Sequence, residues 1–297
     1  MNKLKHLINL YIKFILIKIV DFFANKRGEL QSKGFHIYKN KLQKTNLKKD
    51  AKELYDAITS CQKFISHAAN IKSADIYNFN DILKFKPNLV QIIDEEIITH
   101  IKNYFGNNIK LDHAYLGIFF TKSSRNSEIN AGLYHHDSVG HRCKLFLPIN
   151  PNGTLESPTV YIKGSNKISW GFDIFHLNYK KGFRLEELVK NKFKGCESEI
   201  KASFGDAYVF DTNGIHRGSY NSSNELRCIM QLEFSRYKSI LKGDVGPGTF
   251  HMNDKSYNYL KNLNLLREER IKKINNTYLH RGLKHKEEFK KLSNYLN

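Results

Sequence analysis

Residues 131–148 read AGLYHHDSVGHRCKLFLP, and the interpretation of the whole chain depends on the three residues near their centre, His135, His136 and Asp137. In an extended strand, successive side chains point to opposite faces, so His135 and Asp137 share one face and His136 points to the other. An imidazole and a carboxylate on one face supply two of the three ligands of a 2-His-1-carboxylate site, which suits Fe(II). The stretch therefore predicts a metal centre if a second histidine reaches the same face.

Residues 204–218, FGDAYVFDTNGIHRG, offer that histidine. Two turns flank a short strand at 207–210, and the next strand begins near His216. Eleven residues later, Arg227 opens the run RCIMQLEF, in which alternation places Arg227, Gln231 and Glu233 on one face. The opposite face is apolar and comprises Leu226, Cys228, Met230, Leu232 and Phe234. Because a guanidinium can pair with a carboxylate in a bidentate way, Arg227 is a candidate for binding a carboxylate beside the metal.

Three segments together, HHDSVGHRCKLFLPI, TVYIKGSNKIS and FGDAYVFDTNGIHRG, with an arginine eleven residues after the last histidine, resemble the phytanoyl-CoA dioxygenase-like family of Fe(II)/2-oxoglutarate-dependent oxygenases. The resemblance covers about residues 111–235. It implies that His135, Asp137 and His216 bind Fe(II). It also implies that Arg227 binds the distal carboxylate of the co-substrate 2-oxoglutarate, with O2 as the other co-substrate.

The resemblance further implies an α+β fold: a double-stranded β-helix, a jelly-roll or cupin-like barrel, flanked by N- and C-terminal helices. The expected activity is that of a dioxygenase, an oxidoreductase that hydroxylates a small-molecule, lipid or saccharide-linked substrate and releases succinate and CO2. Further candidates for contact with 2-oxoglutarate are Tyr115, Lys144 and Phe146, and candidates for contact with the substrate are Trp170, Tyr134 and His141.

The chain is strongly basic, with 48 Lys and Arg against 29 Asp and Glu and a formal net charge of +19. Such a charge suits an anionic partner, although dispersed lysines with abundant asparagine and isoleucine are also typical of an AT-rich genome. Two alternatives stay open: a non-catalytic β-barrel interaction protein and a nucleic-acid-directed oxygenase. The sequence has no recognisable nucleic-acid motif, so we expect no nucleic-acid partner. The positive charge instead suits a small-molecule or lipid-linked substrate of anionic character.

Three segments divide the chain. Residues 1–25 are expected to form an amphipathic helix. Its lysines interrupt the apolar run before it reaches the length of a membrane span, and no signal-peptide cleavage site follows it. This helix either packs on the domain or lies in a membrane interface. Residues 26–250 form the expected oxygenase domain, with an insertion at 169–200 that holds a short helix at 185–191. Within this domain we expect a short edge strand at 34–38, a helix that begins at Pro87 and ends at Gly106, and further strands from Ala114 onwards. Residues 251–297 form a basic helical tail.

Four cysteines, Cys61, Cys143, Cys196 and Cys228, lie far apart and form no CxxC pair. Cys143 and Cys228 fall in apolar strand patterns and are expected in the core. A reducing compartment is therefore predicted. We expect a cytoplasmic protein, located peripherally at the inner face of a membrane if its first helix meets lipid.

Overall fold

The computed structural model describes residues 2–23, 28–43, 45–60, 76–79, 81–119, 132–137, 140–155, 157–167, 186–219, 226–237 and 252–267. In these ranges the helices are α1 (Asn2–Phe23), α2 (Glu29–Ser32), α3 (Thr45–Ser60), α4 (Ile82–Phe85), α5 (Glu95–Phe105), α6 (Glu186–Lys192) and α7 (Asp254–Asn262), with a 3-10 helix at Pro87–Ile92. The strands are β1 (Phe35–Tyr38), β2 (Ile76–Phe79), β3 (Ile109–Phe119), β4 (Arg142–Pro148), β5 (Thr159–Ile162), β6 (Glu197–Ile200), β7 (Ala207–Asp211), β8 (His216–Gly218) and β9 (Arg227–Arg236).

The strands form two antiparallel sheets. The larger has the order β1-β7-β4-β9-β3-β2, and the smaller has the order β6-β5-β8. Every strand pair in both sheets is antiparallel. The mixed helical and antiparallel architecture expected from the sequence is therefore confirmed.

Alternation along β9 separates two sides of the larger sheet. The apolar face predicted for this segment, which comprises Leu226 just before β9 and Cys228, Met230, Leu232 and Phe234 within it, joins one apolar cluster that also contains residues of α3, α5 and α7. The other side faces the smaller sheet. There Tyr161 of β5 and Phe210 of β7 belong to a second cluster drawn from both sheets. The larger sheet is thus buried on both sides, with helices behind it and the smaller sheet in front.

Several local predictions are confirmed. The segment 34–38 forms an edge strand, β1, and the helix predicted at 185–191 is α6. Helix α5 ends at Gly106 as predicted, but it begins after Asp94 rather than at Pro87, because the Asp94 carboxylate accepts a hydrogen bond from the Ile97 amide at 3.0 Å and residues 87–92 form the separate 3-10 helix. Cys143 and Cys228 are fully buried.

Other boundaries differ from the expectation. Strand β3 begins at Ile109 rather than near Ala114, and its register shifts between Leu111 and His113. Strands β1 and β2 join the larger sheet from outside residues 111–235, and β6, which closes the 169–200 segment, belongs to the smaller sheet. Strands β2 and β6 are only four residues long, too short for alternation to identify them, so their partner strands rather than their own pattern determine them.

Helix α1 packs on the domain through Ile17, which is fully buried, and through Asp21, whose carboxylate lies 3.1 Å from His141 Nε2. Within the described part of the chain, no helix combines the length and the apolar character needed to cross a bilayer.

Candidate metal centre

Two histidines and one aspartate meet where the smaller sheet ends. His135 extends this sheet by pairing with His216 in β8, since the His135 amide donates to the His216 carbonyl at 3.0 Å and the His216 amide donates back at 2.8 Å. The Asp137 amide donates to the Thr212 carbonyl, which holds the aspartate on the same side. One ligand atom each from His135, Asp137 and His216 lies within 4.8 Å of the others. The structure thus brings together all three predicted ligands.

Backbone carbonyls orient both imidazoles. His135 Nδ1 lies 2.7 Å from the Leu133 carbonyl, and His216 Nδ1 lies 2.9 Å from the Gly214 carbonyl. A carbonyl only accepts, so each Nδ1 carries the proton and each Nε2 presents its lone pair. Both Nε2 atoms lie 3.9 Å from an oxygen of Asp137. Such fixing of the tautomer by an outer hydrogen bond is what metal-binding histidines require.

The charge states also suit a divalent metal. Burial lowers the pKa of His216 to about 3 and lowers that of His135, so both rings are neutral near pH 7. Burial alone would raise the pKa of Asp137, but Lys144 and Arg142 hold it well below its usual range. Two neutral imidazoles and one ionised carboxylate fit Fe(II) as a donor set.

A buried network of charges adjoins the triad. Lys144 Nζ lies 2.9 Å from an Asp137 oxygen and 3.5 Å from Glu233, and Arg142 forms a 2.5 Å ion pair with Glu233. The Tyr115 hydroxyl donates to Gln231 at 2.7 Å. Sequence reasoning named Lys144 and Tyr115 but missed Arg142. Alternation along RCKLFLP places Arg142 on the face of Lys144, and this signal could have identified it.

Arg227 lies in a separate buried polar cluster. Its Nη2 donates to the Thr159 hydroxyl at 2.9 Å, and the Tyr208 hydroxyl lies 2.9 Å from that same oxygen. Burial lowers the pKa of Arg227, and the neighbouring Tyr208 opposes that shift. Thr159 is two residues from Tyr161, the strand partner of His216, which corresponds to about 7 Å along the strand. Thr159 and Tyr208 were missed because Thr159 approaches Arg227 from the smaller sheet and Tyr208 lies on another strand of the larger sheet, so neither is near Arg227 in the sequence.

The remaining predicted contacts have different surroundings. Phe146 packs in the aromatic cluster between the sheets, with its ring 5.0 Å from that of Phe210. Tyr134 lies in a third cluster with Val160 and Val189, and Arg217 stacks over its ring at 4.8 Å. This packing on the outer side of the smaller sheet gives no support to a substrate contact at Tyr134.

His141, a predicted substrate contact, is enclosed by two charged side chains. It is 2% exposed and lies between Asp21 of α1 and Arg236 of β9. Its position follows from the local pairing of Gly140 with Asn213, which turns the chain into β4. His136 is buried, and burial lowers its pKa to about 4. Trp170 lies outside the described residues.

No protein-family model and no curated protein sequence matches the chain. Several solved structures resemble it remotely. The non-heme alpha-ketoglutarate-dependent carbocyclase SnoK from nogalamycin biosynthesis matches with 12% identity and a TM-score of 0.47, over 71% of this chain and 85% of its own. EctD from S. alaskensis, with 2-oxoglutarate and 5-hydroxyectoine, matches with 12% identity and a TM-score of 0.44, over 69% of this chain and 73% of its own. HygX from Streptomyces hygroscopicus, with nickel and 2-oxoglutarate bound, matches with 11% identity and a TM-score of 0.46, over 70% of this chain and 85% of its own. Since the likeness is remote, the chemistry of this site has to follow from its own residues.

Proposed function

We propose that this protein is an Fe(II)- and 2-oxoglutarate-dependent dioxygenase whose two sheets form a double-stranded β-helix. The observation that carries the proposal is the grouping of His135, Asp137 and His216 within 4.8 Å, with a buried arginine in a second polar cluster nearby. The narrower kinship with the phytanoyl-CoA dioxygenase-like family rests on the sequence segments alone.

In this proposal His135, Asp137 and His216 would hold Fe(II), and a site with three protein ligands would leave room for 2-oxoglutarate and O2. Once bound, Fe(II), 2-oxoglutarate and O2 would oxidise an unreactive C–H bond of the substrate. One oxygen atom of O2 would enter the product and the other would enter succinate, and CO2 would be released. Arg227, Thr159 and Tyr208 bind the distal carboxylate of 2-oxoglutarate. A buried carboxylate needs a cation and hydrogen-bond donors, and this cluster contains both.

Lys144 and Arg142 keep Asp137 ionised and fix its orientation. The aromatic cluster of Phe146, Tyr161 and Phe210 lies between the sheets and excludes water from this side of the site. The substrate is an unassigned small molecule, lipid or saccharide-linked compound that is hydroxylated.

The proposal is tested by titrating the anaerobic protein with Fe(II) and 2-oxoglutarate and recording the weak visible absorption of their chelate. Wild type should give this band. His135→Ala should abolish it, and Arg227→Met should need at least about tenfold more 2-oxoglutarate, because a buried carboxylate loses its cation.

Arg217→Met is the matched control. Arg217 lies on β8 beside His216, but it stacks on Tyr134 at the outer side of the sheet. Its loss should leave the band unchanged. A folded wild-type protein that gives no band, or an Arg217→Met variant as impaired as Arg227→Met, would contradict the assignment.

A further inference from the structure

A stripe of exposed apolar side chains runs along α1. Of the six large apolar residues that are exposed in the described part of the chain, five lie on this helix: Ile8, Ile12, Ile15, Ile19 and Phe22. Four of them are about half exposed, and Phe22 is 82% exposed. Their spacing alternates between four and three residues, which keeps all five on one narrow face of a helix.

The opposite face of α1 is attached to the domain. Ile17 is fully buried and Lys13 is 9% exposed. Near the C-terminal end of the helix, Asp21 lies 3.1 Å from His141, a buried residue four positions after Asp137. The helix is therefore docked with its apolar stripe directed away from the protein.

We propose that the stripe of α1 binds the surface of an anionic lipid bilayer, with the helix lying in the plane of the membrane. An in-plane helix needs an apolar face that enters the boundary between headgroups and acyl chains, and basic residues nearby. The sequence of α1 has four lysines and one aspartate, and Lys18 is exposed beside the stripe. The whole chain carries a formal charge of +19, which attracts it to anionic headgroups.

A bilayer fits this surface better than a second copy of the chain. The surface of a single helical stripe is small compared with the roughly 800 Å² that each partner buries in a stable protein interface. Two copies of this strongly basic chain would also repel each other, whereas an anionic membrane complements their charge. The stripe is continuous along the helix and has no polar residue at its five positions, which suits a planar apolar boundary.

The test is sedimentation of the full-length protein with phosphatidylcholine vesicles prepared with and without phosphatidylglycerol. Wild type should bind the anionic vesicles. The double variant Ile12→Gln/Ile19→Gln should bind at least about tenfold more weakly, because two apolar side chains no longer enter the lipid. Leu155→Gln is the control, since Leu155 is an exposed apolar residue outside α1 and its replacement should not weaken binding.

The measurement uses no iron and no 2-oxoglutarate, so its outcome is independent of the proposed enzyme activity. Coincident thermal unfolding curves of all three proteins establish that the variants are folded. Failure of wild type to bind anionic vesicles would overturn the proposal, and so would equal binding by wild type and the double variant. A wild-type dimer in light scattering that the double variant converts to a monomer would instead assign the stripe to a second copy.

Discussion

At the scale of single residues, the carboxylate of Asp137 is controlled by the cations around it. Lys144 lies 2.9 Å from one of its oxygens and Arg142 lies 3.7 Å from the same oxygen. Both cations also contact Glu233, so the four side chains form one nearly neutral cluster. A divalent metal ion bound by the triad would add positive charge next to Lys144. The metal ion and the Lys144 ammonium group would then compete for the Asp137 carboxylate.

Lys144→Met should therefore destabilise the metal-free protein and increase its response to metal. Breaking a buried ion pair costs about 3–5 kcal/mol, but the two side chains are 13% and 16% exposed and Arg142 remains, so we expect about 1–3 kcal/mol. A bound Mn(II) ion replaces the lost positive charge. The rise in melting temperature on adding Mn(II) should be larger in Lys144→Met than in wild type.

Lys201→Met provides the comparison for this experiment. Lys201 pairs with Glu199 at 2.8 Å, but both side chains are about half exposed. The free energy of unfolding of Lys201→Met should therefore decrease by less than about 0.5 kcal/mol. Its response to Mn(II) should match that of wild type. Equal Mn(II) responses in wild type and Lys144→Met would show that Lys144 does not compete with a metal for Asp137.

At the scale of secondary-structure elements, the turn before β8 positions two of the three ligands. The Asn213 side chain exchanges hydrogen bonds with the backbone of Gly140 at 2.7 and 2.9 Å, and the Thr212 carbonyl accepts from the Asp137 amide. The next residue in the turn, Gly214, contacts Tyr161 so closely that a Cβ atom would lie 1.7 Å from its hydroxyl oxygen. Tyr161 in turn stacks on His216, with the rings 11° from parallel.

Gly214→Ala should consequently disturb the metal centre through Tyr161. Overpacking of this kind costs about 1–3 kcal/mol, and a displaced Tyr161 ring would shift His216. We expect lower stability in urea and weaker Mn(II) binding than in wild type. Adding Tyr161→Leu should remove the clash, so the double variant should lose less stability than the sum of the two single variants. Strictly additive losses of stability would show that Gly214→Ala does not act through its contact with Tyr161.

The sequence predicted those elements whose own pattern was sufficient. Alternation along β9 correctly separated the core residues from Arg227, Gln231 and Glu233, because a strand has a fixed period of two. The same rule put His135 and Asp137 on one face. It could not predict that Gly214 serves the packing of Tyr161, because this contact joins a turn and a strand that are about fifty residues apart (214 − 161 = 53).

At the scale of the whole molecule, the pairing of strands from distant parts of the chain creates the charged cluster. Arg142 and Glu233 lie in neighbouring strands of the larger sheet, in a register that no local pattern specifies. Their complementary charges could have suggested the pairing only after β4 and β9 were known to be neighbours. The family resemblance identified the three metal ligands and their order along the chain. The charged residues that surround them could be identified only once the fold was known.

The fold also buries several histidines in the neutral state, which makes the stability of the metal-free protein depend on pH. Burial lowers the pKa of His136 to about 4 and that of His216 to about 3, whereas a histidine in the unfolded chain has a pKa of about 6.5. Between these values the unfolded chain binds protons that the folded protein does not. The free energy of unfolding should therefore be fully retained above about pH 6.5 and fall as the pH decreases towards 4.

Each such histidine contributes a slope of up to about 1.4 kcal/mol per pH unit in this window. Asp137 and Glu233, whose pKa values are also lowered, add to the loss only below about pH 4.5, where carboxylates in the unfolded chain take up protons. Urea unfolding in the presence of a chelator at about pH 7, 6 and 5 separates these contributions. His136→Asn should reduce the slope by about one histidine's share, because this side chain cannot take up a proton in either state. An unchanged slope in that variant would mean that His136 is protonated in the folded protein, contrary to the effect expected from its burial.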